Sequence, residues 1–369
     1  MKTDNSVVKL FCELVSIPSP SGEELNVGKF IQNYLDKHGL KAIFDKTGKL
    51  NQSNSGNLVV KIQGTKGQPI VLFVAHMDTV EVGDVVIKPV IINGVIKSDG
   101  NTILGADDKG SVAALMEALV EINKLATKPT VIAVFSTKEE KGEMGISLFE
   151  TSEKINFAFS LDGAAPQGGF LYKALGQLPF QIEIFGKASH SAIAPEKGKN
   201  AILAASKIIA ELPLGKLPDD VYINIGKISG GQSINIVPDN AVLDGEIRAY
   251  SDQNINKHLK LIVDLTKKVC KQTGCTYKLV ANKKEGTPSM SVSKNDPIIK
   301  IAKKAGKKLN LPFKLLAGKF SCEANFLGQK YQVLNVCRGG KMPHSIDESI
   351  TIKELITLKE LVLELLKSS

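Results

Sequence analysis

A chain of 369 residues exceeds what a single hydrophobic core usually serves, so two domains are expected. With 43% hydrophobic and 23% charged residues it reads as an ordinary globular protein, and no apolar run approaches the roughly 18 residues of a membrane-spanning helix or forms a signal-peptide core. The net charge of +9 is spread along the chain without a dense basic block or interleaved aromatics, which argues against nucleic acid as a partner.

A cytoplasmic protein without membrane contact is therefore expected. The five cysteines are scattered, with no C-x-x-C pair, and read as free thiols of a reducing compartment. Of 47 basic residues only Arg248 and Arg338 are arginine. A chain that otherwise uses lysine keeps arginine where a planar fork can hold a carboxylate.

In chain order, a helix is expected over 22–38 with Ser21 as N-cap, then strands at 57–62, 70–76, 130–137 and 157–162, with a helix over 110–125 between the second and third. Strands that are apolar on both faces and alternate with helices predict an α/β domain with a mostly parallel, buried sheet flanked by helices. Residues 175–286 change to a β-α-β-β-α-β order, the signature of a ferredoxin-like α+β unit. The tail returns to α/β, with helices near 296–309 and 352–367 and the strand "YQVLNVC". The expected domains are 1–174 and 287–369 as two parts of one catalytic domain, with 175–286 inserted between them.

Chemistry-bearing residues gather where strands end. His76 closes "IVLFVAH", and Asp78, two residues on, can face the same side and orient the imidazole. Asp107 and Asp108 lie between Gly105 and Gly110 before a helix. Asp is also a favoured helix cap, but one suffices, so Asp107 is read as a metal ligand and Asp108 as shaping the turn. Glu139 and Glu140 follow the strand at 130–137, Asp162 ends "FAFSLD", and His344 lies beyond "YQVLNVC". In an open parallel sheet, carboxyl strand ends share one edge, where ligand sites form. Mixed imidazole and carboxylate ligands suit Zn²⁺, Co²⁺ or Mn²⁺. With one carboxylate bridging, the set would make a two-metal hydrolase centre that generates a hydroxide nucleophile and polarises a carbonyl, beside a general base.

The stretches "SIPSPSGEE", "AHMDTV", "GADDKG", "STKEEKGEMG", "SLDG", "GKASHSA", "SINIVPDNA" and "MPHSIDES" resemble the M20 family of co-catalytic zinc peptidases, particularly its peptidase T-like tripeptidase and aminopeptidase branch. The resemblance covers nearly the whole chain. It implies two metal ions, with His76 and Asp162 on one, Glu140 and His344 on the other, and Asp107 bridging. Glu139 would be the general base, and the peptide after Asp107 would be cis. In the inserted lid, His190 resembles an oxyanion-steadying histidine that often reaches across a homodimer, Asn235 a substrate contact, and Arg248 the arginine for a substrate carboxylate. Arg338, six residues before His344, is read from nearness as a second substrate-anion contact.

His76 and Asp107 are 31 residues apart, too close to hold a domain, whereas Asp162 and His344 are 182 apart. That insertion point favours M20 over the related M28 and M42 peptidases. Relatives often read "GGSDANIFN" where this chain has "FSCEANFLG", so Cys322 and Glu323 bear on substrate preference. The expected activity is aminopeptidase action on short peptides. The alternatives are a deacylase or carboxypeptidase acting on N-acyl amino acids or dipeptides, and a non-catalytic binding protein.

Overall fold

A computed structural model describes residues 5–83, 85–142, 144–283 and 285–369. It divides into two compact units: Met1–Lys173 with Val292–Gly318 and Cys322–Ser369, and Ala174–Ser291 with Lys319–Ser321.

The first unit is built on a mostly parallel sheet. Ile70–His76 lies between Thr130–Ser136 and Phe157–Leu161, parallel to both, and Val333–Val336 continues the parallel set beyond Phe157–Leu161. Leu58–Ile62 and Ala42–Phe44 extend one side antiparallel. Every residue of Thr130–Ser136 is buried, as a strand covered on both faces requires. Phe73 and Phe159 stack at 5.0 Å within this core, and truncating either to alanine would cost about 3–5 kcal/mol.

The helix Ala106–Asn123 begins four residues before the expected 110 and packs against Ser6–Val15 and Ile352–Ser368. Its residues are buried nearly all round, because it is covered by helices as well as by the sheet. The helix expected over 22–38 spans Leu25–Lys37, and Glu24, not Ser21, stands at its N-cap. The Ser21 hydroxyl is instead committed to Asp78, whose ionised carboxylate accepts a stronger hydrogen bond than a neutral amide N–H would donate to it.

The second unit is an antiparallel sheet in the order Val221–Gly230, Asn240–Ala249, Gly176–Phe185, Thr276–Ala281, with a short edge strand, Gly215–Leu217. The helices Ala201–Glu211 and Asp252–Thr273 cover one face. Ala204, Ile208, Ile262 and Val269 there join Phe180, Ile182 and Ile184 in one apolar core. Gly176–Phe185 alternates buried and half-buried residues, the period-two pattern of a sheet with one covered face.

Candidate metal centre and active site

The four parallel strands end at Ser136, His76, Leu161 and Val336. Those ends, the chain just beyond them and the start of the helix Ala106–Asn123 bring six of the expected side chains together. His76 is 1% exposed, with Nε2 at 3.5 Å from Asp107 Oδ1 and 4.0 Å from Glu139 Oε2. His344, on a turn residue with φ 61°, puts Nε2 at 2.7 Å from Glu140 Oε1 and 3.5 Å from Asp107 Oδ2. The two oxygens of Asp107 thus face one imidazole each. Asp162 is 8% exposed at the adjoining strand end, where Asn335 Nδ2 donates to its carbonyl at 2.8 Å.

A left-handed Gly105, φ 73°, turns the chain into this corner, and the Asp107–Asp108 peptide is cis. Asp107 keeps a non-helical backbone inside the first turn of its helix, which points it away from the capping role. Glu348 makes the turn possible: its two oxygens accept the N–H groups of Gly105 at 2.7 Å and Asp107 at 2.9 Å. Sequence reasoning missed Glu348, although it sits in "MPHSIDES", four residues past His344.

Asp78 is wholly buried. Its Oδ1 lies 3.3 Å from His76 Nδ1 and accepts the Glu139 N–H at 3.0 Å, while Oδ2 accepts the Glu140 N–H at 3.1 Å. Lys138, φ 55°, turns the chain so that these successive N–H groups converge on one carboxylate. Burial alone would raise the Asp78 carboxyl, but the hydrogen bond and charge of His76, with Ser21 and the Glu139 N–H, hold it below the usual range.

The centre carries more anionic charge than its imidazoles balance. Burial and then the Asp107 charge push Asp162 up to about 7. Burial pulls the His76 imidazole down, yet the charges of Glu139, Asp107 and Asp78 carry it well above its ordinary value. Donating to the Asp107 and Glu140 carboxylates raises His344 to about 10. Ligand atoms of His76, Asp107 and Glu140 lie within 4.8 Å of one another, as do those of Asp107, Asp108 and Asp162. Asp107 Oδ1 and both Asp108 oxygens are buried without a hydrogen bond. Hard oxygen and imidazole donors with orphaned lone pairs fit divalent cations.

Arg338 stands apart from its expected role. It is 1% exposed and turned inward, with Nη2 at 3.2 Å from Asp107 Oδ2 and Nε at 3.5 Å from Asp108 Oδ1. The buried aspartates draw it in, and left-handed Gly339 folds its carbonyl back to accept from Arg338 Nη1 at 3.1 Å. A 1%-exposed guanidinium offers no face for a substrate anion. Glu323, at the altered "SCEAN" stretch, is fully buried and makes no well-formed hydrogen bond. Lys109 is likewise buried, donating to the Ile17 carbonyl at 2.6 Å.

In the second unit His190 and Asn235 occupy neighbouring exposed loops, joined by the Ser191 N–H donating to the Asn235 carbonyl at 3.0 Å. His190 Nδ1 accepts from Ala192 N–H at 3.2 Å, so its other nitrogen is the one turned outward. Arg248 is not with them. It pairs with Gln177 while Asn240, at the loop end of the same strand, pairs with Phe185; the eight intervening steps span about 27 Å. Glu246 holds its Nε at 3.0 Å and Nη2 at 3.1 Å.

A mostly parallel α/β sheet with a carboxylate–imidazole cluster at its strand ends defines a metallopeptidase. Residues 172–274 match the M20 peptidase dimerisation domain, and residues 57–207 match peptidase family M28. Peptidase T of Clostridium perfringens is 26% identical, covering 95% of this chain and 93% of that one. Aminopeptidase PepT of Bacillus cereus is similar in structure, with a TM-score of 0.92 and 29% identity over 98% of each chain. A tripeptidase of Staphylococcus aureus gives 0.89 and 28% over 98% of this chain and 97% of that one. The match to the M20 dimerisation domain lies between Asp162 and His344, and over nearly its whole length the chain is similar to peptidase T-type metallopeptidases.

Proposed function

We propose that the protein is a two-metal aminopeptidase acting on short peptides, tripeptides among them. The observation that carries this reading is the central placement of Asp107, one oxygen toward His76 and the other toward His344 and Glu140. In this reading His76 and Asp162 would hold one ion and Glu140 and His344 the other, with the Asp107 carboxylate shared between them. Zn²⁺ fits the donor set, as do Co²⁺ and Mn²⁺. Bound there, such ions supply Lewis acidity, making water a nucleophile at neutral pH and polarising the scissile carbonyl.

Glu139 is the general base. It removes a proton from the attacking water and returns it to the leaving amine, a task worth ~10²–10⁴ in rate. Its 4.0 Å approach to His76 puts the carboxylate at the rim of the cluster. Asp78 orients His76 through Nδ1 and fixes the Glu139–Glu140 backbone. His190, reaching across the homodimer, steadies the oxyanion with Asn235 beside it as a substrate contact, and Arg248, at the far end of its strand from them, meets the substrate carboxylate from the other protomer.

The match of residues 172–274 to a dimerisation domain supports a homodimer, and five free cysteines fit a reducing cytoplasm. Among the described residues, no helix is long and apolar enough to cross a membrane.

The test is a panel of free-amine tripeptides, dipeptides and N-acetylated amino acids, incubated with and without chelator, with products read by mass. Tripeptide cleavage that chelator abolishes and Zn²⁺, Co²⁺ or Mn²⁺ restores is expected. Hydrolysis confined to N-acetylated substrates would make the protein a deacylase, and full activity in the metal-free protein would overturn the metal mechanism.

A further inference from the structure

We propose that Glu24 is a positioning residue for Glu139: its buried carboxylate fixes the turn at Lys138 from which Glu139 and Glu140 project. The inference rests on the peptidase reading above and extends it to the "SGEE" stretch near the start of the chain, residues 21–24.

Glu24 is 0% exposed although it stands at the N-cap of Leu25–Lys37. A carboxylate leaves water only where other donors replace it. Three do. Oε1 accepts the Gly22 N–H at 2.7 Å and the Lys138 N–H at 3.0 Å, and Oε2 accepts from Ser53 Oγ at 2.6 Å. The side chain caps no N–H of its own helix and serves a residue 114 positions along the chain instead.

Lys138 has φ 55°, a left-handed backbone that a lysine adopts only where its surroundings hold it. Its N–H goes to Glu24, and the next two, of Glu139 and Glu140, go to Asp78 at 3.0 and 3.1 Å. Three successive N–H groups thus end on two buried carboxylates. One short segment braces both, since the Ser21 hydroxyl donates to Asp78 three residues before Glu24. Lys138 Nζ ties the same turn to the Asn51 carbonyl at 2.7 Å. Asp78 holds Glu139 itself, whereas Glu24 holds the residue that sets the direction from which the chain enters that clamp. Without the acceptor at Glu24, Lys138 can relax toward the right-handed region, which turns the peptide plane before Glu139 and moves its carboxylate. A misplacement of ~1 Å at a reacting group costs up to ~10²-fold in rate.

The donors around Glu24 demand reach rather than charge. Glutamine keeps an Oε1 for both N–H groups, and its Nε2 can donate to Ser53 Oγ, whose own hydrogen then turns to the Gly22 carbonyl at 3.3 Å. Aspartate keeps the charge but is one methylene too short to meet all three donors.

The experiment compares the full wild-type chain with Glu24→Ala, Glu24→Asp, Glu24→Gln and, as a control in the same helix, Leu35→Ala, whose side chain is wholly buried. Amide hydrogen exchange over residues 137–141 of the metal-free proteins is read by mass spectrometry, beside steady-state kinetics on a tripeptide with Zn²⁺ present. Exchange at the turn should quicken at least ~10-fold in Glu24→Ala and Glu24→Asp and stay within ~3-fold of wild type in Glu24→Gln. In the first two kcat should fall ~10–100-fold with KM within ~3-fold, and Glu24→Gln should keep at least about a third of the wild-type kcat. Leu35→Ala should lower the melting temperature while kcat and the exchange at the turn stay within ~3-fold. Unchanged exchange in Glu24→Ala would overturn the proposal and leave the peptidase reading standing. So would a loss of kcat in Glu24→Gln or in Leu35→Ala as large as in Glu24→Ala. If Glu24→Ala does not fold, Glu24→Asp takes its place in each comparison. A wild-type chain that hydrolyses no peptide would remove the peptidase reading and this role with it.

Discussion

Asp78 Oδ1 accepts the backbone N–H of Glu139 at 3.0 Å while lying 3.3 Å from His76 Nδ1. One buried carboxylate therefore sets the direction of an imidazole on one strand end and of a glutamate on the next. The two elements are neighbours in the sheet, with His76 opposite Ser136. Adjacent glutamates diverge in direction, and with both N–H groups pinned their side chains leave the same clamp differently.

That clamp separates two roles for the pair. Glu139→Gln is expected to keep both metals and the fold while kcat falls by ~10²–10⁴. Elemental analysis beside steady-state kinetics on a tripeptide checks it. Loss of an ion from Glu139→Gln would exchange the roles of Glu139 and Glu140.

Asp78→Asn replaces an acceptor-only group by one that presents an amide to backbone donors. Metal affinity should fall by up to about 10-fold, because the carboxylate 3.3 Å from His76 Nδ1 loses its charge while the Asp78 backbone carbonyl that Nδ1 reaches at 3.0 Å stays. Fluorescent-chelator competition measures this, and unaltered affinity would confine Asp78 to a structural part.

Glu348→Gln leaves one oxygen where two N–H groups now find partners, those of Gly105 and Asp107. The cost should be about 1–3 kcal/mol, read by denaturant unfolding of the metal-free chain. Metal affinity should drop with it, since Asp107 loses its anchored backbone.

Glu323 gives a pH signature. Burial pushes its carboxyl from the ordinary 4.5 to about 8, offset only in part by the charge of His76 and by the Ser136 hydroxyl. The folded chain holds a proton that the unfolded chain releases, so this contribution is complete below pH 4.5 and is lost as pH rises to 8. Glu323→Gln should be near neutral at pH 4.5 and stabilise the metal-free protein at pH 8 by about 4 kcal/mol. Unfolding curves at both pH values measure it; an equal effect at the two would show that the group stays ionised.

The parallel sheet and His76, Asp78, Glu139, Glu140 and His344 were readable because strand ends are marked by apolar runs and the chemistry follows them, and Asp107 because a second Asp before a helix exceeds what a cap needs. Glu348 and Ser21 were not, since each serves a residue more than 50 positions away and carries no local pattern. Ser21 had a plausible local use as a helix cap, which the charge of Asp78 outcompetes. Arg338 shows the limit of nearness as an argument. Six residues from His344 placed it beside the centre, but only the Gly339–Gly340 turn decides that its fork faces inward. Arg248 lies on the strand Asn240–Ala249, and its pairing with Glu246 is a short-range side-chain choice that spacing two on a strand permits and does not require.

The position of the inserted unit has a consequence for synthesis. When the ribosome has made Asp162, the emerging chain already holds Asp78, Asp107, Asp108, Glu139, Glu140 and a single clustered imidazole. Arg338, His344 and Glu348 arrive after Arg338 and its neighbours are separated from Asp162 by well over a hundred further residues, the count to His344 being 182. At ~5–20 residues per second that interval lasts roughly 10–35 s. Through it, the acidic half of the centre has neither its guanidinium nor its second histidine. The α+β unit, whose core is self-contained, can fold in that interval, and the catalytic half closes last.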